Sequence, residues 1–348
     1  MTAWLRRGLV GVGLLAGAAL LAGWLAHGWL ERYLDTPLTV PAESHLVEVG
    51  PGQPLSVLAR QLAADGLLEH PMIFARWARW QGSDQRIQAG EYRLRPGMTP
   101  REFLTMLVQG RVVMHQLTIV EGWRFADMLA ALRAHDAVRS TDLGVEDLMA
   151  ALGEPGRHPE GLFFPDTYRF PRGTTDLALL RQARDLMERH LQAAWAGRVA
   201  DLPFDDPYEA LILASIIEKE TGLDVERERV SGVFVRRLQR GMRLQTDPTV
   251  IYGLGEEFGD RLRRADLQRD TPYNTYTRHG LPPTPIALPG LRSLEAAVNP
   301  AAGEELFFVA TGRPDGSHYF SVTLDEHNRA VARYLQRLRE RRAGAEGS

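Results

Sequence analysis

Two glutamates, Glu218 and Glu220, close the segment LILASIIEKETG (residues 211–222), and between them stands Lys219, the one lysine among 41 basic residues. A carboxyl at the end of a buried apolar helix loses water and faces the negative end of the helix dipole. Both effects favour the protonated form, which a general acid needs near neutral pH. Glu218 shares a helical face with Leu211, Ala214 and Ser215, whose small members leave room beside it. Glu220 lies about 200° around, over Leu213, Ile216 and Ile217. Periodicity does not choose between them, and both could equally be surface partners of nearby arginines. Lys219 also has two readings: a position that needs a compact ammonium, or a single residual codon.

Downstream, MRLQTDPTVIYG (242–253) gathers Gln245, Thr246, Asp247 and Tyr252 around a proline turn, and TPYNTYT (271–277) adds Tyr273, Asn274 and Tyr276. Amides, hydroxyls and tyrosine rings on proline-stiffened loops suit recognition of an N-acetylated sugar, although ordinary loop polarity has the same composition. The segment PEGLFFPDTYRFP (159–171) holds three prolines and four aromatics. It reads as an ordered loop, lining a sugar groove or sealing a core edge. A hydrolase using water would want a second carboxylate across the cleft, with Glu160, Asp166 and Asp247 as candidates.

These residues need elements to hold them. Tyr208–Lys219 is apolar all round and predicts a buried helix, with Gly222 as its C-cap. Upstream, the order is strand Leu46–Val49, helices Pro54–Ala64 and Pro71–Trp80, strand Glu91–Leu94, then a helix from Thr99 to Gln109. The first four resemble a LysM module, a class that binds glycans containing N-acetylglucosamine; a βααβ packing unit without ligand fits as well. Val112–Val120 alternates as a strand, and helices follow at Phe125–Arg133, Val145–Leu152 and Thr175–Gly197. Leu306–Ala310 and His318–Val322 predict a strand pair, and Asp325–Arg342 a closing charged helix.

Gly8–Leu30 carries no charged residue and is long enough to cross a bilayer. Arg6 and Arg7 precede it and acids follow, which orients the N-terminus to the cytoplasm and exports the rest. Its length and the lack of a small-x-small cleavage site favour a retained single-pass anchor in the cell inner (plasma) membrane over a cleaved signal peptide. The net charge of −3 excludes a nucleic-acid binder. The absence of cysteine excludes disulfides and thiol catalysis, and ten histidines without ligand spacing argue against a metal. No cofactor is expected, nor a serine-triad or P-loop site.

The segments EGLFFPDTYRF (160–170), ASIIEKET (214–221), MRLQTDPTVIYG, YNTY (273–276) and GLPPTPIALPG (280–290) together resemble the endolytic murein transglycosylase (YceG-like) family. The resemblance covers most of the exported chain. It implies cleavage of peptidoglycan strands between N-acetylmuramic acid and N-acetylglucosamine, leaving 1,6-anhydro ends without consuming water. It also implies that the first glutamate of E-K-E, Glu218, is catalytic, and that cell-wall synthases are partners. Glu160, Ser215, Glu220, Gln245, Thr246, Asp247, Tyr252, Tyr273, Asn274 and Tyr276 are the candidate substrate-binding residues. The expected fold is α+β: cytoplasmic residues 1–7, a transmembrane helix (8–30), a linker (31–44), a LysM-like βααβ subdomain (45–110), a catalytic domain (111–342) and a tail (343–348).

Overall fold

The computed structural model describes residues 2–346. Residue 1 and residues 347–348, ends of the expected cytoplasmic segment and tail, lie outside the described residues. In chain order the elements are α1 (Thr2–Asp35), β1 (His45–Val49), α2 (Leu55–Ala64), α3 (Pro71–Trp80), β2 (Gly90–Leu94), α4 (Pro100–Gln109), β3 (Met114–Thr118), α5 (Phe125–Ala134), β4 (Val138–Arg139), α6 (Val145–Ala151), β5 (Thr167–Pro171), β6 (Thr174–Thr175) and α7 (Asp176–Ala196). They continue as α8 (Pro207–Glu220), α9 (Asp224–Gln239), α10 (Asp247–Leu254), α11 (Arg264–Gln268), α12 (Leu291–Val298), β7 (Phe307–Ala310), β8 (His318–Ser321) and α13 (Leu324–Glu346). The class is mixed α+β, with helices dominating and the strands of the described residues arranged as two-stranded pairs. The chain forms two compact units, residues 1–115 with 170–173, and residues 116–169 with 174–348.

The first unit begins with α1, whose stretch Gly13–Asp35 is long and apolar enough to cross a membrane. Leu14, Leu15, Leu20, Leu21 and Trp24 stand exposed along it. Its last turns differ: Tyr33 and Leu34 are buried in one core with Leu58, Phe74, Tyr92, Phe103 and Leu107. β1 and β2 pair antiparallel, His45 against Leu94 through Val49 against Gly90, with α2 and α3 between them in sequence. This is the expected βααβ order. Thr99 caps α4 with a full capping box to Glu102, and Gly110 ends it at φ 63°, a left-handed position that favours glycine.

The expected linker is irregular but not slack. Leu38 is buried, its amide donates to Met98 O at 2.8 Å, and the Thr39 amide donates to Leu67 O at 3.1 Å. Proline punctuation marked the lack of secondary structure correctly, yet local pattern carries no signal for these long-range bonds.

The second unit is built around α8, with α7, α9, α10 and α12 packed against it. Three readings need correction. Thr167–Pro171, expected as loop, is strand β5, because Tyr168 and Phe170 alternate inward along it. Asp247–Leu254, expected as a proline turn, is helix α10, with Pro248 in its first turn where a missing N–H costs nothing. Helices α9 and α12 were not anticipated, although Leu291, Leu294 and Val298 have helical spacing.

Because Leu34 is fully buried in the core of the first unit, Leu34→Ala is expected to cost about 2–5 kcal/mol there. Hydrogen exchange in detergent should show lost protection in α2–α4; unchanged protection would mean that α1 ends outside that core.

Candidate active site

Helix α8 starts where Asp206 accepts the Tyr208 amide at 2.8 Å and Pro207 sets the first turn. Ala210 through Ile217 are all buried, so the helix has no solvent face. Its C-cap is Thr221 in extended conformation (φ −142°), not Gly222 as expected. The two glutamates therefore leave the core in the last turn, on different sides.

Glu218 is corrected in one respect: burial does not leave it alone. Its Oε1 lies 3.1 Å from Arg227 of α9, and both side chains are only 6% exposed. Its Oε2 accepts from the Gly290 amide at 3.0 Å and the Ser293 hydroxyl at 2.8 Å. Gly290 is the N-cap of α12. The carboxylate thus sits at the negative end of its own helix and at the positive end of another, and the second offsets the first.

A further carboxyl stands beside it. Glu121 occupies the space where a Cβ of residue 290 would be, so Gly290 is required for that approach. Burial raises the Glu121 carboxyl above its ordinary value, the charge of Glu218 adds to this, and Arg227 opposes it. Glu121 lies on a turn completed by Gly122 at φ 78°. The Gly122 amide donates to Leu288 O at 2.9 Å, and the Leu288 amide donates to Trp123 O at 2.7 Å. Lys219 Nζ donates to Gly122 O at 3.1 Å. The lone lysine therefore ties the turn that carries one carboxyl to the helix end that carries the other.

Glu220 faces a separate cavity of about 420 Å³ in the same unit. Gln245, Thr246, Asp247 and Tyr276 line it with Glu220, so five of the expected residues meet there. Thr246 Oγ1 donates to Glu220. Tyr276 donates its hydroxyl proton to Asp247 at 2.6 Å. Burial pushes the Glu220 carboxyl up to about 7; Asp247 adds to this, while the Thr246 bond and Arg237 oppose it. The expectation of a raised carboxyl at the end of α8 is met here.

The remaining candidates go elsewhere. Tyr252 lies five residues after Asp247 on α10, about 140° around, and does not join it as expected. Its hydroxyl donates to Glu160 at 3.1 Å, and its ring meets Tyr273 edge-on with centroids 4.9 Å apart. Glu160 also accepts the Phe125 amide at the start of α5, at 2.8 Å. Burial raises Glu160 to about 7. Asn274 is buried and frames the loop, donating to Leu267 O at 3.1 Å and Arg269 O at 2.6 Å. Ser215 is buried, donating to Ile212 O at 2.7 Å and accepting the Ile286 amide at 3.0 Å. Asp166 accepts the adjacent Thr167 amide.

Sequence reading missed Glu121, Arg227, Gly290 and Ser293. Glu121-Gly122 after a strand was a turn signal, and Gly290 lay inside a quoted motif. Nothing marked Arg227 among the many arginines.

Two tests follow. Gly290→Ala forces the flexible Glu121 carboxyl aside and should cost less than about 1 kcal/mol of stability, read by denaturant unfolding; a larger loss would show that the carboxyl is held in place. For Glu160, the folded value of about 7 exceeds the ordinary 4.5, so its contribution is full below 4.5 and is lost as pH rises through 7. Wild-type unfolding temperature should fall across that window, and Glu160→Gln should flatten the fall. Parallel profiles would refute the assignment.

A YceG-like family model matches residues 47–333. The endolytic murein transglycosylase of Bacillus subtilis (strain 168) is 29% identical over 357 residues, covering 94% of this chain and 93% of that protein. The endolytic murein transglycosylase of Streptococcus pneumoniae serotype 2 is 26% identical over 363 residues, covering 93% of this chain and 65% of that longer protein. A YceG-like protein of Listeria monocytogenes, known from its crystal structure, shares 29% identity with a TM-score of 0.50, over 83% of this chain and 99% of that one. With a family model spanning the greater part of both units, the chain belongs to the YceG-like family.

Proposed function

We propose that this chain is a membrane-anchored endolytic lytic transglycosylase that cuts nascent peptidoglycan strands between N-acetylmuramic acid and N-acetylglucosamine. The observation that carries this reading is the end of α8. There the Glu218 carboxyl is aimed by Arg227, Gly290 and Ser293, in a chain whose relatives bear that name. The exposed apolar face of α1 supports a retained anchor, with the N-terminus cytoplasmic and the chain beyond α1 outside. The βααβ module is read as LysM-like from its element order, and cell-wall synthases as partners on family resemblance.

In this reading the acid proton is supplied at the corner shared by Glu218 and Glu121, where burial and the Glu218 charge raise the Glu121 carboxyl. The proton passes to the glycosidic oxygen as the C1–O4 bond breaks. The Glu218 carboxylate takes the proton of the muramic acid C6 hydroxyl as O6 bonds to C1. The proton is regained, the nucleophile comes from the substrate, and no water enters. Arg227 steadies Glu218 through the charged stage of the cycle.

A second reading is a hydrolase in which the same pair activates water, and it is favoured by the adjacency of Glu121 and Glu218. Mass analysis of digested peptidoglycan decides: anhydro ends support transglycosylation, and reducing ends support hydrolysis. Glu218→Gln should lower product release by about 10²–10⁴-fold, and Glu220→Gln by less than tenfold. The reverse order would move the acid to Glu220.

A further inference from the structure

The first unit carries a cleft of about 730 Å³, lined by Arg93, Arg95, Arg101 and Arg111 over an apolar floor that includes Met98 and Met106. Arg101 is engaged: its Nη2 lies 2.7 Å from Glu31, and its Nε 2.9 Å from Asp35. Arg93, Arg95 and Arg111 pair with no carboxylate among the described residues. The one acid at the rim, Glu102, is held by the Thr99 amide at 3.0 Å as part of the α4 cap. Three unpaired guanidinium forks therefore converge on one concave surface.

Position narrows what they meet. Glu31 and Asp35 are the first acids after the uncharged run of α1, and both hold a residue that lines the cleft. The cleft thus opens within a helical turn or two of where α1 leaves the hydrocarbon, at the depth of lipid headgroups. An exposed protein cation at that level meets phosphate, and a planar guanidinium matches two phosphate oxygens at once. The methionine floor suits the apolar part of a lipid next to its headgroup.

We propose that this cleft is a phosphate-binding site for an anionic membrane lipid, with Arg93, Arg95 and Arg111 as its ligands. The proposal rests on reading α1 as a membrane anchor. Occupied, the site would hold the first unit down on the bilayer surface, with Arg101 coupling it to the exit of α1.

The test uses the full chain in neutral detergent, titrated with phosphatidylglycerol, phosphatidylcholine or inorganic pyrophosphate and read by native mass spectrometry. Phosphatidylglycerol should bind at least tenfold more tightly than phosphatidylcholine, and weaken with added salt. Combined Arg93→Gln, Arg95→Gln and Arg111→Gln should weaken it roughly 100-fold at about fivefold per arginine, and Arg111→Gln alone by about fivefold, with unfolding temperature unchanged in both. Equal lipid binding by wild type and the triple variant overturns the site. Pyrophosphate binding as tightly as phosphatidylglycerol overturns the lipid as its source. Release of the chain from membranes by alkaline carbonate would sink the anchor reading separately, since the detergent titration does not depend on insertion.

Discussion

The burial of α8 on every side is the constraint from which the rest of the second unit follows. A helix with eight consecutive buried residues, Ala210 to Ile217, can only exist inside a shell of other helices. Here α7, α9, α10 and α12 supply that shell. A charged side chain can then appear only at an end, and the end that matters carries Glu218, Lys219 and Glu220. The rigidity of the core is passed to these groups directly, with no flexible loop between.

The same helix end sets two electrostatic environments two residues apart. Glu218 is met by a guanidinium, a hydroxyl and the first amide of α12, all donors. Glu220 has one hydroxyl donor and a carboxylate neighbour, Asp247, lining the same cavity. The difference comes from the helical rotation between the two positions, which points each at a different wall of the shell. Chemistry is therefore divided by angle and not by distance along the chain. Lys219, between them, is used for neither wall and reaches out to the Glu121 turn.

Much of this was legible in the residues. The apolar run, the βααβ order and the paired strands near the C-terminus all follow from period and punctuation, because these are local signals. The segment-by-segment resemblance pointed to Glu218 where helix geometry could not. What stayed hidden was long-range. Arg227 is one of forty arginines in sequence, and only the packing of α9 distinguishes it. Gly290 lay unremarked inside a quoted motif, whereas its use is the missing side chain that lets Glu121 approach. Tyr252 was grouped with Asp247 by proximity in sequence, and helix α10 turned them apart. The expected linker hid its attachments for the same reason: backbone bonds to Met98 and Leu67 leave no trace in composition.

The partners of the Glu218 carboxylate also have an order in time. Gly290 lies 72 residues beyond Glu218, and Gly122 lies 97 residues before Lys219. A chain made from its N-terminus has the residues of the Glu121 turn and of helix α8 well before Gly290 and Ser293 exist. Until that last stretch arrives, both glutamates are on their helix, but the amide and hydroxyl that aim one of them are absent. Contacts of such separation close late in folding as well. The arrangement thus makes the three-donor setting of Glu218 a property of the finished chain.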